Sequence, residues 1–177
     1  MLNFIYGLPL QQVMLFMTAA VIFWTWCQWF FGKTQGRARR WAVANGVLLL
    51  LSIWAVFYAT VLTREPGETR LLILQPLWTL EMAKVLPELY RIMVMNVFLF
   101  FPFGLALAQV WPAQWPAGRR MALTALAGMV LSAGVEVLQY RYALGRTETD
   151  DVLCNTFGTV LGALPLCRQL FRPQSTP

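Results

Sequence analysis

Residues 47–57 read VLLLLSIWAVF. The run is apolar at consecutive positions and does not alternate. A strand of a transmembrane barrel would alternate its outward and inward faces over about ten residues. In lipid the backbone must satisfy its own hydrogen bonds, and a helix does so within one segment. The run is therefore predicted to belong to a membrane-crossing helix.

The same character extends in both directions. Five segments approach the roughly 20 apolar residues that cross a bilayer: Leu8–Phe31, Trp41–Thr63, Ile92–Trp111, Met121–Tyr140 and Val152–Leu170. The last is short and broken by Pro165. The whole chain, 177 residues, is 58% hydrophobic and 12% charged, against about 25% charged in an ordinary soluble domain. The expected fold is one all-α domain over residues 1–177, a polytopic integral membrane bundle of about five helices. MLNFIYG carries no lysine or arginine ahead of its apolar run, and that run exceeds the core of a signal peptide. It is read as a retained helix.

Charge orients the bundle. With the amino terminus outside, one side holds Lys33, Arg37, Arg39, Arg40, Arg119, Arg120, Arg168 and Arg172 and no acid. The other holds Arg64, Arg70, Lys84, Arg91, Arg141 and Arg146 with all eight acids. Basic residues concentrate on the cytoplasmic side, so the carboxyl terminus is expected inside. The net charge of +6 then follows from topology and needs no nucleic-acid partner. Cys27, Cys154 and Cys167 show no metal spacing and no disulfide framework. Histidine is absent, which removes the commonest zinc ligand and general base; no metal and no cofactor is expected. Trp24, Trp26, Trp29 and Trp41 are read as interfacial anchors.

Segment 64–91 lies outside in this reading. It opens with Glu65-Pro66-Gly67-Glu68, turns apolar, and is cut by Pro76 and Pro87. It is too interrupted to span, and fits an interfacial segment or one folded back over the bundle. In the third span Pro102 and Gly104 are expected to kink or thin the helix.

The least apolar stretch is EVLQYRYALGRTETDDVLCN, residues 136–155. Ser132, Glu136 and Gln139 fall at i, i+4 and i+7, along one helical face. Glu136 sits about 6 Å below the outer end of its span, where an ionisable residue normally faces a partner or a cavity. Thr147 or Thr149 is positioned to cap the next helix, with acids in its first turn favoured by the dipole. Asp150 and Asp151 point about 100° apart on a helix, so they should serve different contacts. Asp151, Asn155, Gly158 and Gly162 share a face, and Gly158-xxx-Gly162 permits close helix approach. The expected constellation is Asn96, Glu136, Gln139, Asp151 and Asn155 converging under the outer surface, with Asp150 adjoining and Arg146 as counter-charge.

The ordered set Asn96, Phe101-Pro102-Phe103-Gly104, Glu136-x-x-Gln139, Arg146, Asp150-Asp151, Asn155-Thr156-x-Gly158 and Gly162 resembles the VanZ-like family. The resemblance covers Asn96 to Gly162 by motif and the first two spans by hydropathy. It implies a bacterial cytoplasmic-membrane protein associated with glycopeptide (teicoplanin) resistance. In one departure from the family pattern, Glu148 supplies the leading acid and Arg146 stands one position closer to it, which leaves the partner of Arg146 open. Polar groups beside an apolar, kinked helix suit an amphiphilic envelope ligand: a lipid head group, a lipid-linked cell-wall precursor or a lipoglycopeptide. Membrane lipids are expected partners. An enzymatic alternative would use Glu136 and Asp151 as an acid/base pair. Transport is disfavoured, because the inner halves of the helices are nearly free of charge. In a fourth reading the cluster is an ionic knot that fixes helix register.

Overall fold

The computed structural model describes residues 35–164, with side chains from residue 41 onward. The expected span at 8–31, the end of the fifth, Cys27 and Cys167 lie outside the described residues. Helix α1 covers Gln35–Phe57 and continues as a π turn over Tyr58–Leu62. A strand β1 (Leu71–Ile73) and a short helix α2 (Trp78–Met82) precede the long helices α3 (Glu88–Leu107) and α4 (Ala117–Tyr142). Strand β2 (Arg146–Glu148) leads directly into helix α5 (Thr149–Ala163).

Among the described residues three segments are long and apolar enough to cross a membrane: Trp41–Leu62, Glu88–Leu107 and Ala117–Tyr142. They match the second, third and fourth expected spans except at their ends. Helix α3 begins at Glu88 rather than Ile92 because Pro87, with its preset φ, opens it and Glu88 occupies its first turn. It stops at Leu107 rather than Trp111. There Gln109 and Val110 donate to Ala106 and Leu107 in three-residue turns, ahead of Pro112. Pro102 lies inside α3 without ending it. The described part of helix α5, 15 residues, is about 22 Å long, and the rest of the expected fifth span lies outside the described residues.

Helices α1, α3 and α4 meet around Val56, Phe100, Phe103 and Val135, with Leu49, Ile53, Leu99 and Leu131 packed against them. Their outward faces carry Val43, Val47, Leu50 and Trp54 on α1, and Leu126, Val130 and Val137 on α4. Helix α5 lies beside α3 and runs in the same direction. A side-chain carbon at Gly158 would overlap the Val97 carbonyl, one at Gly162 the Phe101 carbonyl, and one at Gly104 the Thr159 backbone. Glycine at these positions is therefore what lets the two backbones touch. Gly128 on α4 gives Thr159 the same room from the other side.

Two ends of the bundle can be told apart by their fastenings. At one, Asn45 donates to the Ala106 carbonyl, and Arg120 donates to Ala108, so each adds a side-chain donor to a carbonyl at the end of α3, where the regular helical partners run out. At the other, segment 64–87 folds back over the bundle as a strap, the second of the two dispositions expected for it. Its β1 pairs in parallel with β2, Leu71 opposite Arg146 and Ile73 opposite Glu148. This small sheet is the one departure from an all-helical chain among the described residues. Gly67 N–H donates to the Ala143 carbonyl at 2.7 Å and anchors the strap's first turn.

Candidate functional site

The strap end gathers the polar residues. On α4, Ser132, Glu136 and Gln139 are all buried on one face, as their spacing requires. Glu136 accepts the Glu148 N–H through Oε2 at 3.0 Å, and Thr147 Oγ1 donates to the Glu136 carbonyl. Gln139 donates from Nε2 to the Thr60 carbonyl at 3.0 Å. Thr60 lies in the π turn that ends α1, where carbonyls lose their regular partners.

On α5 the two aspartates part company. Asp151 Oδ1 accepts from Asn96 Nδ2 at 2.6 Å, tying α5 to α3. Asp150 turns to the strap: Leu77 N–H donates to Oδ1 at 2.6 Å and Thr79 N–H to Oδ2 at 2.7 Å. Its carboxylate thus covers the amino terminus of α2, where negative charge is favoured. Leu77 holds φ at 63°, a conformation unusual for leucine, and these two hydrogen bonds help to hold it there. Asn155 donates to Ser132 Oγ at 2.8 Å. Asn96–Asp151 and Ser132–Asn155 therefore form two polar rungs, joining α5 to α3 and to α4. Below them, the glycines bring α5 against α3.

Arg146 forms its ion pair with Glu148, Nε to Oε1 at 2.6 Å. The guanidinium is half exposed and lies over the Trp78 ring at 5.9 Å. Glu148 is buried and also accepts from Thr79 Oγ1. The close Arg146–Glu148 spacing left open in the sequence is thus an ion pair between alternate residues of β2, which share one face of a strand. Neither Thr147 nor Thr149 caps α5, whose N-cap is Glu148 with no side-chain bond. Thr149 donates instead to the strap carbonyls of Ile73 and Leu74, because pairing of the strap with β2 supplies nearer acceptors.

Acceptors outnumber donors here. Glu136, Glu148, Asp150 and Asp151 bring four carboxyl groups, with Arg64 and Arg146 within electrostatic reach of Asp151. Burial, and then the Glu148 charge, push the Asp151 carboxyl up to about 7 against the pull of Arg64 and Arg146. Gln139 Oε1 and Asn155 Oδ1 are buried and meet no donor among the described residues. No hydrogen bond among those residues reaches Asp151 Oδ2. No group of three acids is arranged to hold a metal ion among the described residues.

Arg64, Thr79, Thr60 and Glu148 complete the cluster and were not among the expected site residues. Thr60 and Arg64 flank the end of a predicted span, a usable signal. Thr79 had none, since its role depends on how the strap folds.

A family model described as VanZ/LLP1 matches residues 4–171, nearly the whole chain. No curated protein and no solved structure matches it.

Proposed function

The chain belongs to the VanZ/LLP1 family, and from that premise we propose that its acceptor-rich cluster engages the polar head of an amphiphilic envelope molecule in a bacterial cytoplasmic membrane. The observation that carries this reading is the pair of buried amide oxygens, Gln139 Oε1 and Asn155 Oδ1, left without donors beside Asp151 and Glu136. Buried acceptors cost about 1–3 kcal/mol when unmatched, and a ligand that donates to them recovers that cost. The complementary head group is therefore rich in hydroxyl, amide or ammonium hydrogens, as in the sugar-peptide head of a lipid-linked cell-wall precursor or in a lipoglycopeptide. Leu74 and Leu77 are exposed on the strap next to the cluster and offer surface for an apolar tail. The expected consequence is reduced susceptibility to teicoplanin.

The ligand set in this proposal is Asn96, Glu136, Gln139, Asp151 and Asn155, with Arg146 at the rim. Asp150 is assigned to holding the strap, since both its oxygens are engaged by backbone N–H groups. Glu136→Gln, Arg146→Ala and Asp151→Asn variants, expressed at equal membrane levels, test the reading. Each should raise teicoplanin susceptibility at least several-fold. Unchanged protection in all three removes the cluster from the function and leaves it as an ionic knot that fixes helix register.

A further inference from the structure

Four arginines surround residues 140–146, and their environments differ. Arg64 donates to the Leu144 carbonyl, and together with Arg146 it faces the carboxylates. Arg70 and Arg141 do not. Arg70, in the strap next to β1, donates to the Arg141 carbonyl at 3.4 Å and stands 6.0 Å from the centre of the Tyr140 ring. Arg141 stands 5.8 Å from the centre of the Tyr142 ring. Both arginines are exposed, and among the described residues no ion pair joins either of them to an acid. Glu65 and Glu68 lie exposed in the same strap without pairing to them.

This arrangement is unusual for its position. On the charge-derived orientation these arginines lie on the side where basic residues are depleted, so their placement calls for an anionic partner. Each guanidinium lies near a tyrosine ring that is itself exposed, and amphipathic rings of this kind sit at head-group depth. Leu71 and Leu72 follow Arg70 directly and are exposed. Cation, phenol and aliphatic chain thus lie together at one bundle end. A guanidinium matches two phosphate oxygens at once.

We propose that Arg70 and Arg141 form a seat for the phosphate of an anionic phospholipid in the membrane leaflet beside the strap, with Leu71 and Leu72 against its acyl chains. The seat is separate from the acceptor-rich cluster and favours the opposite charge.

The test uses the full-length protein in detergent, titrated with phosphatidylglycerol or phosphatidylcholine and read by native mass spectrometry. Phosphatidylglycerol should bind more tightly, and Arg70→Gln and Arg141→Gln should each weaken it about fivefold. The Arg70→Lys/Arg141→Lys protein should keep most of the preference, which separates loss of charge from loss of fold. Equal binding of the two lipids, or a preference that survives both glutamine substitutions together, overturns the proposal. Displacement of the lipid by inorganic phosphate at comparable concentration also overturns it, because the seat would then read free phosphate. If the lipid preference is absent while Asp151→Asn still abolishes teicoplanin protection, this seat fails and the cluster reading stands.

Discussion

Asp150 and Asp151 are adjacent in sequence, and their different roles follow from the angle between successive side chains on α5. Asp150 closes the amino terminus of α2 through two backbone N–H groups. Asp150→Ala should cost about 1–3 kcal/mol and should speed hydrogen exchange at the Leu77 and Thr79 amides, while amides in mid-α4 stay protected. Asp151 predicts a pH dependence. Its carboxyl is raised to about 7 in the fold, whereas an unfolded aspartate titrates near about 3.9. Between those values the folded chain holds a proton that the unfolded chain has released, so stability falls as pH rises through this window and levels off above it. Thermal unfolding in detergent should come at higher temperature at about pH 5 than at about pH 8. Asp151→Asn retains an acceptor for Asn96 and should reduce that difference. An undiminished difference in the variant assigns it to another group. The divergence of the two aspartates was legible in the sequence from helical geometry alone. The partner of Asp150 was not, because it is a pair of backbone amides in a segment far away in the chain.

The contact of α3 with α5 is decided by glycines at the element scale. The spacing of Gly158 and Gly162 marked a close-packing face, and Gly104 was expected to thin α3; the structure places all three at backbone-to-backbone contacts. Gly158→Val should therefore destabilise the bundle by about 1–3 kcal/mol or more, seen as a lower unfolding temperature in detergent. Gly134 provides the contrast. It lies on α4 with open space around its Cβ position, and Gly134→Ala should be neutral or gain up to about 1 kcal/mol. A Gly158→Val protein no less stable than the parent would mean that helix propensity, and not packing, sets the effect. The strap was harder to read. Its interruption by Pro76 and Pro87 showed that it does not span, yet β1 and β2 are three residues each and too short to show periodicity. Their pairing brings Glu148 against Thr79, so Glu148 is visible in the sequence as the leading acid of the motif and its contacts are not.

For the whole molecule, the sequence and the structure together separate two ends. The strap, β2 and the carboxyl cluster sit at one; the turn between α3 and α4, fastened by Arg120 and Asn45, sits at the other. The family match over residues 4–171 extends the resemblance from the motif-bearing half to the first spans, where hydropathy alone had suggested it. Orientation rests on charge: Arg119 and Arg120 join other basic residues on the acid-free side, and that side is expected in the cytoplasm. The prediction is tested with single cysteines at Leu74 in the strap and Gln114 in the opposite turn, in a background where Cys27, Cys154 and Cys167 are replaced. A membrane-impermeant maleimide applied to intact cells should label Leu74→Cys and spare Gln114→Cys until the membrane is opened. Labels in the reverse order would place the acceptor cluster in the cytoplasm, out of reach of an extracellular glycopeptide, and any effect on teicoplanin would then have to act through a cytoplasmic step.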